Sequence, residues 1–155
     1  GANWEFLENL RAKWSGKLIV KGVQCPEDAL HIKNLGIDAI YVSNHGGRQL
    51  NAAPVVIDSL AAIRYSIGMD YPLIYDGGIR GGEHVLKAIA TGANFTMLGR
   101  SVMYALGAKG EAGINSILDS IERELDSSMG LLGCCRPSEV SSKSLAQYFS
   151  VKAQS

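Results

Sequence analysis

A histidine and an arginine lie three residues apart in the segment VSNHGGRQL, residues 42–50. An imidazole can exchange a proton near neutral pH, and a guanidinium presents two parallel donors that match a carboxylate. His45 and Arg48 therefore predict a site for a small organic acid whose neighbouring carbon loses a proton. The alternative is that His45 only holds its loop together by hydrogen bonds. Its position after an apolar strand and close to an arginine favours the chemical role.

A lysine interrupts another apolar run, LIVKGV, at residues 18–23. Burying an ammonium group is costly unless it meets negative charge. Lys21 is therefore predicted either to face a phosphate or an electron-rich ring, or to lie at the exposed rim of a strand. The residue alone favours neither alternative.

Glycines and arginines follow two further apolar runs, in YDGGIRGG at residues 75–82 and in MLGRS at residues 97–101. Glycine lets a backbone approach a ligand closely, and backbone N–H groups next to guanidinium charge are typical of a phosphate site. The residues predicted to form this site are Asp76, Gly77, Gly78, Arg80, Gly99 and Arg100.

Helix and strand patterns alternate along the chain. The predicted elements are helix 4–15, strand 17–23, a helix from Pro26 to Gly36, strand 37–43, helix 55–68, strand 71–78, helix 81–93, strand 94–101, helix 110–132 and helix 137–148. This order indicates right-handed βαβ units and a parallel α/β sheet, whose ligands bind at the carboxyl ends of the strands. In (β/α)8 barrels the phosphate site commonly follows strands seven and eight. Residues 1–155 are therefore predicted to form one domain, the C-terminal four βα units of a TIM barrel.

The composition excludes several classes of function. The chain has 155 residues, with 15 Lys+Arg balancing 15 Asp+Glu, so it has no basic excess to hold a nucleic acid. No apolar run approaches the roughly 20 residues of a membrane span, and a cytoplasmic location is expected. Its three cysteines have no metal-site spacing, and no metal is predicted. Cys134 and Cys135 could form a redox pair, but free thiols are the favoured interpretation.

The same segments carry a resemblance to a known family. LIVKGV, VSNHGGRQL, YDGGIRGG and MLGRS, in this order and spacing, resemble the FMN-dependent α-hydroxy acid oxidases and dehydrogenases. The likeness runs from about Trp4 to about Val140 and includes LLGCCRPSEV. The block around His45 and Arg48 is its most specific part, because glycine-rich phosphate loops occur in many barrels.

The resemblance implies a role for each candidate residue. His45 is similar to the active-site base, and Arg48 to the clamp on the substrate carboxylate; His45 is also counted among the substrate and cofactor contacts. Lys21 matches a lysine near flavin N1, and Ser43 a contact of the flavin ring. Asp76, Gly77, Gly78, Arg80, Gly99 and Arg100 match contacts of the FMN phosphate and ribitol. The implied reaction is the oxidation of a small (S)-2-hydroxy acid, of the lactate, glycolate or mandelate class, to the 2-oxo acid.

The resemblance also implies that half of the barrel is missing from this segment. That half would supply tyrosines that bind substrate and an aspartate that orients the histidine, so the isolated chain is expected to be inactive. Its expected partners are the N-terminal half of the barrel or a second copy of the chain, in a homo-oligomer. One alternative is a non-catalytic flavin- or phosphate-binding half-barrel. Another is a different FMN barrel such as type 2 isopentenyl diphosphate isomerase. Its substrate is a diphosphate, so a carboxylate clamp at Arg48 argues against this alternative.

Overall fold

The computed structural model describes residues 3–145. The elements alternate as predicted: α1 Trp4–Lys13, β1 Ile19–Val23, α2 Pro26–Asn34, β2 Ala39–Val42, α3 Val56–Ile67, β3 Leu73–Tyr75, α4 Gly82–Thr91, β4 Phe95–Thr96 and α5 Arg100–Leu132. Short 3-10 turns lie at His45–Gly47, Pro137–Glu139 and Ser142–Ser144. All three cysteines are free thiols, including the adjacent Cys134 and Cys135.

The four strands form one parallel sheet in the order β1-β2-β3-β4. A helix connects each strand to the next, so every unit repeats the βα pattern from which barrels are built. In register, Lys21 lies beside Tyr41, Tyr41 beside Ile74, and Ile74 beside Phe95. These four residues form one row across the same face of the sheet, because paired residues point to the same side.

The other face of the sheet is the one that the helices cover. Ile40, Leu60, Ile63 and Leu73, from β2, α3 and β3, are all completely buried in this core. The row with Lys21 lies on the uncovered face, and the edge strands share its exposure: Phe95 in β4 is 61% exposed. The middle strands of this sheet are buried and its edge strands are open. Four consecutive strands of a barrel would form such a sheet if the other strands were absent.

The structure corrects the prediction for residues 94–101. Only Phe95–Thr96 form the strand, and α5 begins at Arg100 instead of at residue 110. Helix α5 is broken at Lys109 and Gly110, where Gly110 has φ 58° and ψ −140°. The break turns the chain back on itself, so that Gly113 lies against the Ala105 carbonyl with no room for a Cβ.

The predicted helix at 137–148 was wrong within the described residues. Two 3-10 turns, Pro137–Glu139 and Ser142–Ser144, replace it there, and residues 146–148 lie outside the described part. Pro137 and the serines that follow favour turns, because serine hydroxyls compete with helical backbone hydrogen bonds.

A buried arginine fixes the amino ends of the last two strands. The Arg64 guanidinium, on α3, donates to the carbonyls of Gly68, Tyr71 and Gly92 and to Oδ1 of Asn94, at 2.5–2.8 Å. Burial lowers the pKa of this side chain, but an arginine keeps its charge in a protein. Its donors satisfy carbonyls in the loops before β3 and β4, which therefore start at fixed positions.

Replacing Arg64 by methionine is expected to destabilise the fold by about 3–5 kcal/mol, because buried carbonyls lose their donor. Urea unfolding followed by circular dichroism measures the change. The matched control is Arg123→Met, since Arg123 is exposed and, among the described residues, its side chain bonds only a carbonyl of its own helix. The control should change stability by less than about 0.5 kcal/mol. Equal losses in the two variants would contradict the role given to Arg64.

Asp38 attaches α1 to the start of the sheet. Its carboxylate accepts hydrogen bonds from Lys17 Nζ at 2.7 Å, from the Leu18 N–H at 2.9 Å and from Arg11 at 3.0 Å. The bond from Lys17 is the main cause that lowers the pKa of Asp38 to about 2, followed by the bond from Leu18. The ionised carboxylate is therefore the form that the fold favours.

Asp38→Asn is expected to make the chain less stable at pH 7 and less sensitive to acid. An unfolded aspartate titrates near pH 4, so the contribution of Asp38 is complete above that pH and is lost as the pH falls toward 2. Urea midpoints at pH 7, 4 and 2.5 test this, with Asp126→Asn on the exposed surface of α5 as the control. The same acid dependence in the wild type and in Asp38→Asn would disprove it.

Candidate active site

One cleft lies at the carboxyl ends of the strands and has a volume of about 580 Å³. Its lining comes from Lys21 in β1 and from the segments that follow β2, β3 and β4. The predicted site residues in it are Lys21, His45, Arg48, Asp76, Gly77, Gly78, Arg80, Gly99 and Arg100. Ser43 is the predicted residue that does not line the cleft.

Ser43 is completely buried, and its hydroxyl supports the loop that carries His45. Ser43 Oγ accepts a hydrogen bond from the His45 N–H at 3.1 Å, and Asn44 Oδ1 accepts one from the Gly46 N–H at 3.0 Å. His45 has a φ of 54°, and it is the single non-glycine in residues 3–145 with a positive φ. Such a backbone conformation costs about 1–3 kcal/mol, which these hydrogen bonds offset. The role of Ser43 as a flavin contact stays a prediction.

Gly22 determines where the His45 ring can lie. A Cβ at Gly22 would come within 2.6 Å of His45 Cε1, so the imidazole packs directly against this glycine. Gly22 has a φ of 95° and lies where the register between β1 and β2 shifts. Gly22 was not among the residues predicted to have a role. The available signal was a glycine inside a β-branched strand, which often marks a bulge or a close approach.

The cleft carries an excess of positive charge. Four cations line it, Lys21, Arg48, Arg80 and Arg100, against the one carboxylate of Asp76. Within the part of the chain that the structure describes, none of the four cations lies within 4.0 Å of a carboxylate oxygen. Unpaired cations that converge on one cleft suit anionic groups such as phosphate and carboxylate.

Two glycines leave open space beside the arginines. A Cβ built on Gly78 or on Gly99 would meet no other atom within 4 Å. Gly78 also has a φ of 79°, which an L side chain rarely adopts. Arg80 and Arg100 follow these glycines closely in the chain, so exposed backbone and guanidinium groups border the same space. Such an arrangement is typical of a phosphate site, and the phosphate role of these residues stays a prediction.

The two carboxylate oxygens of Asp76 differ in their hydrogen bonding. Its Oδ2 accepts a hydrogen bond from the Tyr41 hydroxyl at 2.8 Å. Its Oδ1 is buried and has no hydrogen-bond partner among the described residues. A buried carboxylate oxygen without a donor is costly, so this atom indicates a place for a ligand donor. Tyr41 was missed in the sequence, because its contact depends on the pairing of strands rather than on a local motif.

None of the helices within residues 3–145 is both long and apolar enough to cross a membrane. The same residues contain no group of three or more His, Cys, Asp or Glu side chains placed to hold a metal ion.

Comparisons with known proteins agree with this geometry. The family model described as FMN-dependent dehydrogenase matches residues 1–147. The structure of the monotopic membrane protein (S)-mandelate dehydrogenase is 37% identical, with a TM-score of 0.89, over 95% of this chain and 39% of the other. A soluble mutant of membrane-associated (S)-mandelate dehydrogenase from Pseudomonas putida is 38% identical, with a TM-score of 0.86, over 91% of this chain and 40% of the other.

A third similar structure is that of a mandelate oxidase with benzoyl-formic acid. It is 41% identical, with a TM-score of 0.81, over 86% of this chain and 40% of the other. The chain thus spans about two fifths of the length of the solved structures that it matches. The predicted partial TIM barrel is confirmed. The extent of the family match and the agreement of the structures lead to one conclusion: the chain belongs to the FMN-dependent dehydrogenase family.

Proposed function

We propose that this chain is the C-terminal half of the barrel of an FMN-dependent enzyme that oxidises a small (S)-2-hydroxy acid to the 2-oxo acid. The observation that carries the proposal is one electropositive cleft that brings His45 and Arg48 together with the glycine and arginine cradle. Lactate, glycolate and mandelate are the proposed class of substrate. Residues 1–155 are proposed to act as one domain, and a cytoplasmic location stays a prediction.

The residues of the cleft fit the parts of FMN. Arg80, Arg100 and the open space at Gly78 and Gly99 suit its phosphate. The free Oδ1 of Asp76 suits a donor such as a ribityl hydroxyl. Lys21, at the end of the cleft that β1 forms, would place its positive charge near the flavin ring. Bound FMN supplies the acceptor for the two electrons that leave the substrate.

His45 is the proposed base. Oxidation of the alcohol carbon to a carbonyl releases two protons with the two electrons, and a neutral imidazole can take one of the protons. The contact with Gly22 and the hydrogen bonds of the loop restrict where the ring can lie, which reduces the cost of aligning it with the substrate.

Arg48 is the proposed clamp on the substrate carboxylate. Its side chain is exposed to the same cleft as His45, and it makes no ion pair with a described carboxylate. A guanidinium holds a carboxylate through two parallel hydrogen bonds. This geometry would present the α-carbon to His45 in one orientation. The isomerase alternative has a diphosphate substrate, which offers no carboxylate for Arg48 to bind, so this arrangement favours the hydroxy acid.

We further propose that turnover requires the strands that complete the barrel, from the N-terminal half or from a second copy of the chain. No described side chain hydrogen-bonds the His45 ring, whereas a base of this kind works best with an orienting partner. The same observation favours the second candidate function, a flavin-binding half-barrel without catalysis. Light scattering with and without FMN shows whether a second copy binds.

Charge removal in the cradle should separate cofactor binding from chemistry. Arg80→Gln and Arg100→Gln are each expected to weaken FMN binding roughly 10- to 100-fold, because a charge-assisted hydrogen bond is lost. His45→Asn should bind FMN normally and lower the turnover of the completed barrel about 10²- to 10⁴-fold. Asparagine is chosen because it tolerates the positive φ at this position.

The measurements are a titration followed by flavin absorbance and an assay with lactate, glycolate and mandelate. Arg123→Gln, an exposed arginine of α5 outside the cleft, is the matched control for charge and should bind FMN like the wild type. Equal loss of FMN in the Arg80, Arg100 and His45 variants would refute the assigned roles. It would indicate instead that His45 holds the loop together.

A further inference from the structure

Tyr41 lies in the middle of the uncovered face of the sheet, between two charged residues. Its neighbours in the strand, Ile40 and Val42, are completely buried on the helix side. Tyr41 therefore points to the opposite face, where the register places it beside Lys21 of β1. On its other side lies β3, which leads directly to Asp76.

The side chain of Tyr41 contacts both charged groups. Its hydroxyl donates to Asp76 Oδ2 at 2.8 Å. The Nζ atom of Lys21 lies over its ring, 4.9 Å from the centroid. Burial, followed by the bond to Asp76, raises the pKa of Tyr41, so the hydroxyl stays a proton donor at neutral pH. One side chain thus restrains a cation and an anion that both line the cleft.

The two charges do not form a direct ion pair. In the part of the chain that the structure describes, Lys21 Nζ and the Asp76 carboxylate lie more than 4.0 Å apart. A direct pair would satisfy each group with the other and leave neither for a ligand. The ring of Tyr41 instead attracts the ammonium group to its face, while its hydroxyl occupies only one oxygen of the carboxylate. The other oxygen, Oδ1, remains buried without a partner.

We propose that Tyr41 is a positioning residue of the cofactor site. Its hydroxyl orients Asp76 so that Oδ1 accepts a hydrogen bond from a hydroxyl of the ligand, and its ring keeps the Lys21 ammonium apart from that carboxylate. The inference rests on the proposed function, because the ligand with suitable hydroxyl groups is the ribityl chain of FMN. Tyr41 itself is not expected to touch the reacting atoms.

The test is a double-mutant cycle on FMN binding. Tyr41→Phe keeps the ring and removes the hydroxyl, and it should weaken FMN binding roughly tenfold because the carboxylate loses its orienting donor. In an Asp76→Ala background the same change should have no further effect, because the group on which the hydroxyl acts is gone. Dissociation constants come from flavin fluorescence, and circular dichroism confirms that each variant is folded.

Tyr71→Phe is the matched control. The Tyr71 hydroxyl donates to the Ile37 carbonyl at 2.6 Å, and Lys33 lies 5.9 Å from the centroid of its ring, so this tyrosine also combines a donated hydrogen bond with a nearby lysine, but away from the cleft. This variant should lose stability and keep the FMN affinity of the wild type. If Tyr41→Phe also kept that affinity, or if its effect multiplied with that of Asp76→Ala, the positioning role would be disproved.

The role of the ring is tested by Tyr41→Leu. This variant should bind FMN roughly a further threefold more weakly than Tyr41→Phe, because the cation–π contact is lost and Lys21 becomes free to pair with Asp76. Equal affinities for the two variants would overturn the role of the ring. A completed barrel that binds no FMN would contradict the proposed function itself, whereas normal binding with unchanged variants would contradict only the role of Tyr41.

Discussion

The buried guanidinium of Arg64 is the interaction on which the arrangement of the last two strands depends. It joins the end of α3 to the loops before β3 and β4 through hydrogen bonds to backbone carbonyls. Since β3 and β4 lead to Asp76 and Arg100, a shift of either strand at its amino end would displace the cleft at its carboxyl end. The charge that holds the site in place is therefore at the opposite end of the sheet from the site.

The two ends of the sheet differ in their chemistry. At the amino ends, hydrogen bonds satisfy the buried polar side chains among the described residues. At the carboxyl ends, cations without carboxylate partners, glycines with positive φ and the strained backbone of His45 lie together. Natural sequences depart from local consistency chiefly where function requires it, and here the departures concentrate at one end. This concentration supports the candidate site independently of the resemblance to a family.

The sequence predicted the order of elements as far as α5, the parallel sheet and ten site residues, of which all but Ser43 line the cleft, because each depends on local pattern. Clusters of glycine and arginine after apolar runs can be recognised from the sequence alone. The start of α5 was missed because the apolar run at Met97 and Leu98 continues the strand pattern beyond the last paired residues. Tyr41 and Gly22 were missed because their roles arise from contacts with other strands or loops. Arg64 looked like an ordinary helical residue, and only packing reveals that it is buried.

The exposed face of the sheet also has a consequence for the order of folding. The contacts that bury Ile40, Leu60 and Leu73 join elements that are neighbours in the sequence, so they close short loops at low entropic cost. In the proposed complete barrel, the row that contains Lys21 and Phe95 would gain cover only when the other strands pair with β1 and β4. Barrel closure would then belong to the late, slow part of folding, and the edges of β1 and β4 would be the surfaces to protect from other chains until then.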